Sequence, residues 1–291
     1  MGEITAIGWT DATVNFWTGC KKVSDGCKFC YMYRDKERYN LDPKQVIRTS
    51  DKTFMAALSW KQPKRIFTCS WSDFFIEEAD GWRADAWEII RDTPQHTWQI
   101  LTKRPERILQ CLPKDWGIYG YPNVHIGVSV ENEANTWRMW YLSLIPAAVR
   151  FVSFEPLIGD VEHYHEPFSK HAPDAESIYF SNESLIHYST MPLGAFNPKR
   201  SQAIDGGDLV DWVIIGGESG NETGQYRYRE CKIEWIERLV NYWSPTVPVF
   251  IKQMGTHLAG QLNIPKSDRH GSDINNFPKH LQLQQFPKPL K

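Results

Sequence analysis

With 291 residues, 41% hydrophobic and 23% charged, the chain can bury a substantial core as one large domain or a domain with insertions, which excludes wholesale disorder. A formal net charge of −2 and a pI near 6.5 exclude global attraction to polyanions, so any nucleic-acid binding has to rest on a local basic face. No stretch approaches the roughly 20 apolar residues of a membrane span, and no N-terminal segment joins positive charge to an apolar run, so a cytoplasmic protein with no membrane association is expected.

In chain order the first predicted element is a short β-branched and aromatic run, Thr13-Trp17. Three thiols follow within eleven residues, in Cys20-Lys21-Lys22-Val23-Ser24-Asp25-Gly26-Cys27-Lys28-Phe29-Cys30. Six cysteines are too few for a disulfide-built fold of this length, and the spacing favours metal in a reducing compartment. Thiolates are soft ligands, and three on one loop can hold three corners of an iron-sulfur cluster while leaving one iron open for chemistry. The alternative is a structural zinc ion completed by a fourth Cys or His. His96, His125, His163 and His165 are candidates for it, although only one half of the usual paired spacing is present. Cys69, Cys111 and Cys231 lie in apolar or helical patterns, where a free cysteine is a small buried hydrophobe, and most of the 13 Trp are expected in the core.

Beyond the loop, strand-like runs at Arg65-Cys69, Thr97-Leu101, Val124-Val130, Val149-Phe154, Trp212-Ile215 and Val247-Ile251 are expected. They alternate with helix-period segments at Thr49-Trp60, Trp82-Arg91, Pro105-Cys111, Asn132-Ile145 and Cys231-Trp243. This rhythm builds a parallel sheet with right-handed crossovers, either open and doubly wound or curled into a barrel. Nearly every predicted strand finishes in reactive side chains: Ser70 with Ser72 and Asp73, Thr102-Lys103-Arg104, Ser129 with Glu131 and Asn132, Glu155, Glu218-Ser219, and Lys252-Gln253. Active sites of (β/α) barrels are built from the C-terminal ends of several strands, so the pattern predicts an α/β fold, a full or partial (β/α) barrel over residues 1–255. Residues 156–210, rich in Pro, Ser, His and Asn, read as a long insertion, either a lid or a mobile excursion. Residues 256–291, with Pro265, Pro278, Pro287 and Pro289, read as an irregular C-terminal extension laid over the barrel or partly loose.

Each polar strand end has a plain reading beside the functional one. Glu155 either grips a cofactor ammonium or ribose, or caps its loop; Glu218, behind two glycines, either meets a ligand or closes a tight turn. Ser129, Glu131 and Asn132 suit ribose-type hydroxyls, with a helix N-cap as the plain reading of Asn132. Lys103, Arg104 and Lys252 are cations for a carboxylate or phosphate, or simply solvated charges. Asp11, Asn15 and Trp17 are expected to shape the cysteine loop rather than react. The basic patches Lys61-Arg65 and Asn197-Arg200 either track a nucleic-acid backbone or are solvated faces.

The C-x6-C-x2-C loop, with Phe29 before its last cysteine, resembles the cluster loop of the radical S-adenosylmethionine (radical SAM) superfamily, whose commonest form has three residues between the first two cysteines. Across most of its length the chain is similar to a phage- and prophage-associated family of unknown function that carries this three-cysteine loop. The likeness runs through Gly8-Trp9-Thr10-Asp11, then Asn15 with Trp17 to Cys20, Trp98 to Pro105, Gly127 to Asn132, Arg150 to Leu157, Asp211 to Gly220, and Phe250 with Lys252-Gln253. Ser70-Trp71-Ser72-Asp73 stands where the superfamily has the Gly-Gly-Glu that holds the methionine amino group, and Gly216-Gly217-Glu218 comes too late to be that element.

The resemblance implies a [4Fe-4S] cluster on Cys20, Cys27 and Cys30, with S-adenosylmethionine on the fourth iron and reductive cleavage to a 5'-deoxyadenosyl radical. With such a cofactor, the polar strand ends give the expected site: cofactor binding by Ser70, Asp73, Ser129, Glu131 and Glu155, and catalysis by Glu155, Glu218 and Lys252. A nucleic-acid base, nucleotide or related target and a reductant such as flavodoxin or ferredoxin are the expected partners. Two readings from other classes stand beside it: a non-catalytic zinc- or cluster-containing module that binds nucleic acid or a phage partner, and a barrel hydrolase using Glu155 and Glu218.

Overall fold

The computed structural model of the protein describes residues 2–162 and 210–288. Seven strands form one parallel sheet: β1 (Ala12–Val14), β4 (Arg65–Thr68), β5 (Thr97–Thr102), β6 (Val124–Ser129), β7 (Val149–Leu157), β8 (Trp212–Gly217) and β9 (Val249–Gln253), neighbours in that order. A two-stranded antiparallel ribbon, β2 (Trp17–Thr18) with β3 (Ile47–Arg48), brackets the segment that carries the cysteines. The principal crossover helices are α3 (Asp80–Asp92), α5 (Trp137–Ser143) and α6 (Ile233–Trp243). The seven strands of the parallel sheet match the expected runs to within a few residues, because β-branched runs buried on both faces leave a continuous apolar signature, whereas the β2–β3 ribbon, too short for such a run, is not among the expected elements.

Period-two alternation divides the strands between two cores. Ile66, Ile100, Ile126, Val128, Val152 and Ile215 face outward to Trp87, Ile90, Leu142 and Ile236 of the helices. Phe67, Phe151, Trp212 and Phe250 face inward around Trp9. The Trp9 ring lies 4.7 Å from that of Phe67 on β4 and 6.1 Å from that of Trp212 on β8. One ring reaches strands four places apart only if the sheet curls around it, so the fold is a partial (β/α) barrel with Trp9 plugging the N-terminal end. Gly127 makes room for this packing, since a Cβ there would meet the Phe151 ring at 2.5 Å.

The sheet edges are β1 and β9, and each is covered by the chain's own ends: Gly2 bridges to Thr13, and Gln284 bridges to Phe250. The C-terminal extension is therefore laid over the barrel. It also contains a helix not expected from its prolines, Thr256–Gln261, because Gly255 at φ +83° turns the chain abruptly out of β9. Three predicted helices are broken. Thr49-Trp60 becomes α2 (Asp51–Phe54) and a 3-10 turn, while Pro105-Cys111 and Asn132-Ile145 each begin as 3-10 turns before becoming α4 (Ile108–Cys111) and α5. Helix α1 (Tyr31–Arg38), beginning directly after Cys30, was not foreseen. Most of the expected 156–210 insertion, with His163, His165 and the Asn197-Arg200 patch, lies outside the described residues. Among the described residues no helix is long and apolar enough to cross a membrane.

Candidate functional site

The cysteine loop leaves β2 and crosses the C-terminal ends of the strands. Its entry is fixed by short backbone links: Gly19 N–H donates to Trp71 O, Cys20 N–H to Pro43 O, and Tyr33 Oη to Cys20 O. Asn15 and Trp17 shape the same region, since Asn15 Oδ1 accepts from Trp71 N–H at 2.8 Å and Trp17 Nε1 donates to Asp73 O at 3.0 Å. Asp11 does not join them. It pairs with Arg65 at the opposite rim, where the Arg65 hydrogen bonds hold its carboxyl below the usual range.

Two buried carboxylates grip the loop from either side. Glu131, fully buried just past β6, accepts from Ser24 Oγ at 2.8 Å and from Arg138 Nη1 at 2.8 Å, with Lys103 Nζ 3.3 Å away. Burial alone would raise its pKa, but Lys103 and Arg138 outweigh that and hold it below the usual range. Gly26 lies so close on Glu131 that a Cβ would fall 2.4 Å from Oε1, so only glycine fits there. On the other side Glu218 accepts from Arg229 Nε at 2.8 Å, from Arg229 Nη2, and from the Arg229 backbone N–H at 2.9 Å. Arg229 in turn donates from Nη1 to Asp25 O at 2.8 Å and lies 5.1 Å from the Phe29 ring centroid.

Beneath the loop is a cavity of about 470 Å³. Its lining brings together Cys20, Cys27 and Cys30, Ser70 and Asp73 after β4, Lys103 and Arg104 after β5, Ser129, Glu155, Glu218 and Lys252. Its floor is Trp9, Phe67 and Leu101. Of the predicted site residues, Glu131 alone is placed outside this lining, behind the loop. Asp73 is engaged on both oxygens, accepting from Thr102 Oγ1 at 2.7 Å and Lys103 N–H at 2.9 Å and pairing with Arg104 at 3.2 Å. Ser70 exchanges hydrogen bonds with the Asn15 amide. Glu155 and Lys252 form an ion pair at the ends of β7 and β9. Asn132 occupies the N-cap position of the 3-10 turn before α5, with its side chain accepting from Asn135 Nδ2 at 2.7 Å.

All six cysteines are free. Burial pushes the Cys20 thiol up to about 12, with Asp73 adding and Arg104 opposing, and burial likewise raises Cys30. Arg104 Nη1 faces Cys20 Sγ at 3.8 Å. Among the described residues no group of three or more His, Cys, Asp or Glu is drawn together to hold a metal ion. His96 packs by Ala57 O at 3.3 Å, and His125 sits within β6 beside Gln99 and Val149, so neither histidine lines the cavity.

Sequence reasoning missed Arg229 and Arg138. Arg138 lies on α5 while Glu131 lies in the irregular stretch before it, so no helical period links the two in the sequence. Arg229 sits in an irregular stretch without periodicity, and only the folded chain brings it to Asp25. The basic patch Lys61-Arg65 is placed where β4 begins, at the rim away from the cavity, with Lys64 3.5 Å from Glu3 and Arg65 on Asp11.

A family model described as a protein of unknown function (DUF5131) matches residues 4–279, and the chain belongs to that family. No curated protein and no solved structure matches it.

Proposed function

We propose that this member of the DUF5131 family is a radical SAM-type enzyme, using a [4Fe-4S] cluster and S-adenosylmethionine to modify or repair a nucleic-acid base, nucleotide or related target. One observation carries the reading: three free thiols from one loop line the same cavity as the polar ends of the parallel strands. A four-iron cluster takes each thiolate on a different iron, so its cysteines border a hollow rather than converge on a point.

When bound, the cluster supplies the electron that cleaves the sulfonium and so starts hydrogen abstraction from the substrate. The chain's own part is positional. Cys20, Cys27 and Cys30 would hold the irons, while Ser70, Asp73, Ser129 and Glu155 are the cavity groups for the cofactor's ammonium and hydroxyls. Arg104, facing Cys20, offsets negative charge that builds on the sulfurs. Glu131 and Glu218 act on the loop, and Lys252, paired with Glu155, is a cation of the cavity that would face a substrate. The hydrolase alternative finds its two carboxylates held by separate cations, Lys252 and Arg229. A flavodoxin- or ferredoxin-type reductant would deliver the electron.

The test is anaerobic purification with iron, zinc and sulfide analysis, followed by 5'-deoxyadenosine release under reductant with DNA, RNA or nucleotide pools. The expected result is about four irons and four sulfides per chain, lost in Cys27→Ala together with cofactor cleavage. Zinc without sulfide, or normal cleavage by Cys27→Ala, overturns the reading.

A further inference from the structure

We infer that residues 20–48, the segment folded over the cavity, form a docking surface for single-stranded nucleic acid, with one unpaired base turned into the cavity beneath. The inference rests on the reading above for the kind of target, and it adds the surface and the single-stranded presentation.

Charge is the first observation. This segment holds eight cations (Lys21, Lys22, Lys28, Arg34, Lys36, Arg38, Lys44, Arg48) against four anions (Asp25, Asp35, Glu37, Asp42), a net of +4 in a chain whose total is −2. The other residues therefore carry −6 between them. A local excess of cations over the cavity, in a chain whose other residues are net acidic, attracts a polyanion to that place. Lys22, Lys28, Arg38 and Lys44 are all exposed.

Exposed aromatic and aliphatic side chains are the second observation. Tyr31, Tyr39, Leu41 and Ile47 of the same segment are 41% to 66% exposed. A merely solvated basic face has no need of them, whereas single-strand binders combine cations for the backbone with rings for the bases. Arg227 is exposed on the neighbouring loop, which Arg229 ties to Asp25.

The third observation is depth. Cys27 and Cys30 border a cavity floored by Trp9, Phe67 and Leu101, an apolar surface suited to a planar ring. A base stacked in a duplex cannot enter such a hollow, while an unpaired or flipped one can.

The test uses metal-free full-length protein and fluorescence anisotropy with a labelled strand of roughly 15 nucleotides, as DNA, as RNA and as the DNA duplex, between about 50 and 200 mM salt. Single strands are expected to bind at least tenfold tighter than duplex, and the DNA and RNA arms identify the sugar. The variant Lys22→Glu, Lys28→Glu, Lys44→Glu should lose at least tenfold in affinity and flatten the salt slope by about 2, as expected for three lost phosphate contacts. Lys61→Glu, at the far rim, should match wild type. Should the triple variant melt early, Arg38→Glu with Lys44→Glu repeats the test away from the thiols. Absent binding, equal affinity for duplex, or unchanged affinity in the folded variants overturns the inference. Because no cluster is needed, a protein that binds strands but no iron sinks only the radical chemistry, and one that binds iron but no strands sinks only this surface.

Discussion

At the N-terminal ends of the strands the barrel interior holds Trp9 against Phe67, Phe151 and Trp212, whereas at their C-terminal ends the same strands finish in Asp73, Arg104, Ser129, Glu155 and Lys252. The lower region buries rings and gains stability from apolar area removed from water. In the upper region each carboxylate is matched to a cation: Asp73 to Arg104, Glu131 to Arg138, Glu155 to Lys252 and Glu218 to Arg229. Such pairs roughly offset their own desolvation, so they add little net stability and much geometric definition. The difference teaches that apolar packing and paired polar groups are assigned to opposite ends of one sheet, with the three free thiols of the loop at the polar end.

The sharpest way to break that division is Trp9→Ala. Removing the plug should destabilise the fold by about 4 kcal/mol, read from the denaturant midpoint. Replacing Glu155 by Gln should cost well under half as much. Equal losses at the two ends would refute the division.

The lower region is also dry enough to keep a histidine neutral. Burial holds the His125 pKa down at about 4, against about 6.5 for an unfolded chain. Between those values the unfolded chain takes up a proton that the folded chain refuses, so stability falls as pH drops from about 6.5 to about 4 and loses no more from this group below that. The loss amounts to about 3 kcal/mol. His125→Gln should remove this component, leaving a flatter stability profile through that window than wild type. Parallel profiles would mean that the lower barrel is wetter than its packing implies.

Much of the upper region was legible before folding. Strand ends read as reactive do border one cavity, because a parallel sheet delivers all its C-terminal ends to the same side. Ser70, Asp73, Glu155 and Lys252 could be found this way. Glu131 was legible as a residue but not in its placement, since only the packing of Gly26 shows it to lie against the back of the loop, outside the cavity. Arg229 was invisible because its partners, Asp25 and Phe29, are some 200 residues away in the chain and share no pattern with it. Trp9 stood out by its neighbours in sequence, yet its role as a plug depends on a curl that no local period encodes.

Arg229 offers the finest probe of the comparison, because it separates positioning from stability within the upper region. Arg229→Ala leaves Glu218 buried without its guanidinium, but the Arg229 side chain was itself about 23% exposed, so water can partly replace it. A global loss of about 2 kcal/mol is expected, less than for a fully enclosed pair. The local effect should be larger in proportion, since the same change frees Asp25 O and the Phe29 ring and so loosens the loop between Cys20 and Cys30. Alkylation of Cys27 and Cys30 in the metal-free protein should quicken about tenfold, a factor equivalent to about 1.4 kcal/mol of easier local opening. Arg229→Lys keeps the charge but loses the bidentate fork, so it should fall between the two. If alkylation quickens only as far as global unfolding does, with Cys231 reacting in step, then the guanidinium merely stabilises the fold and does not hold the loop.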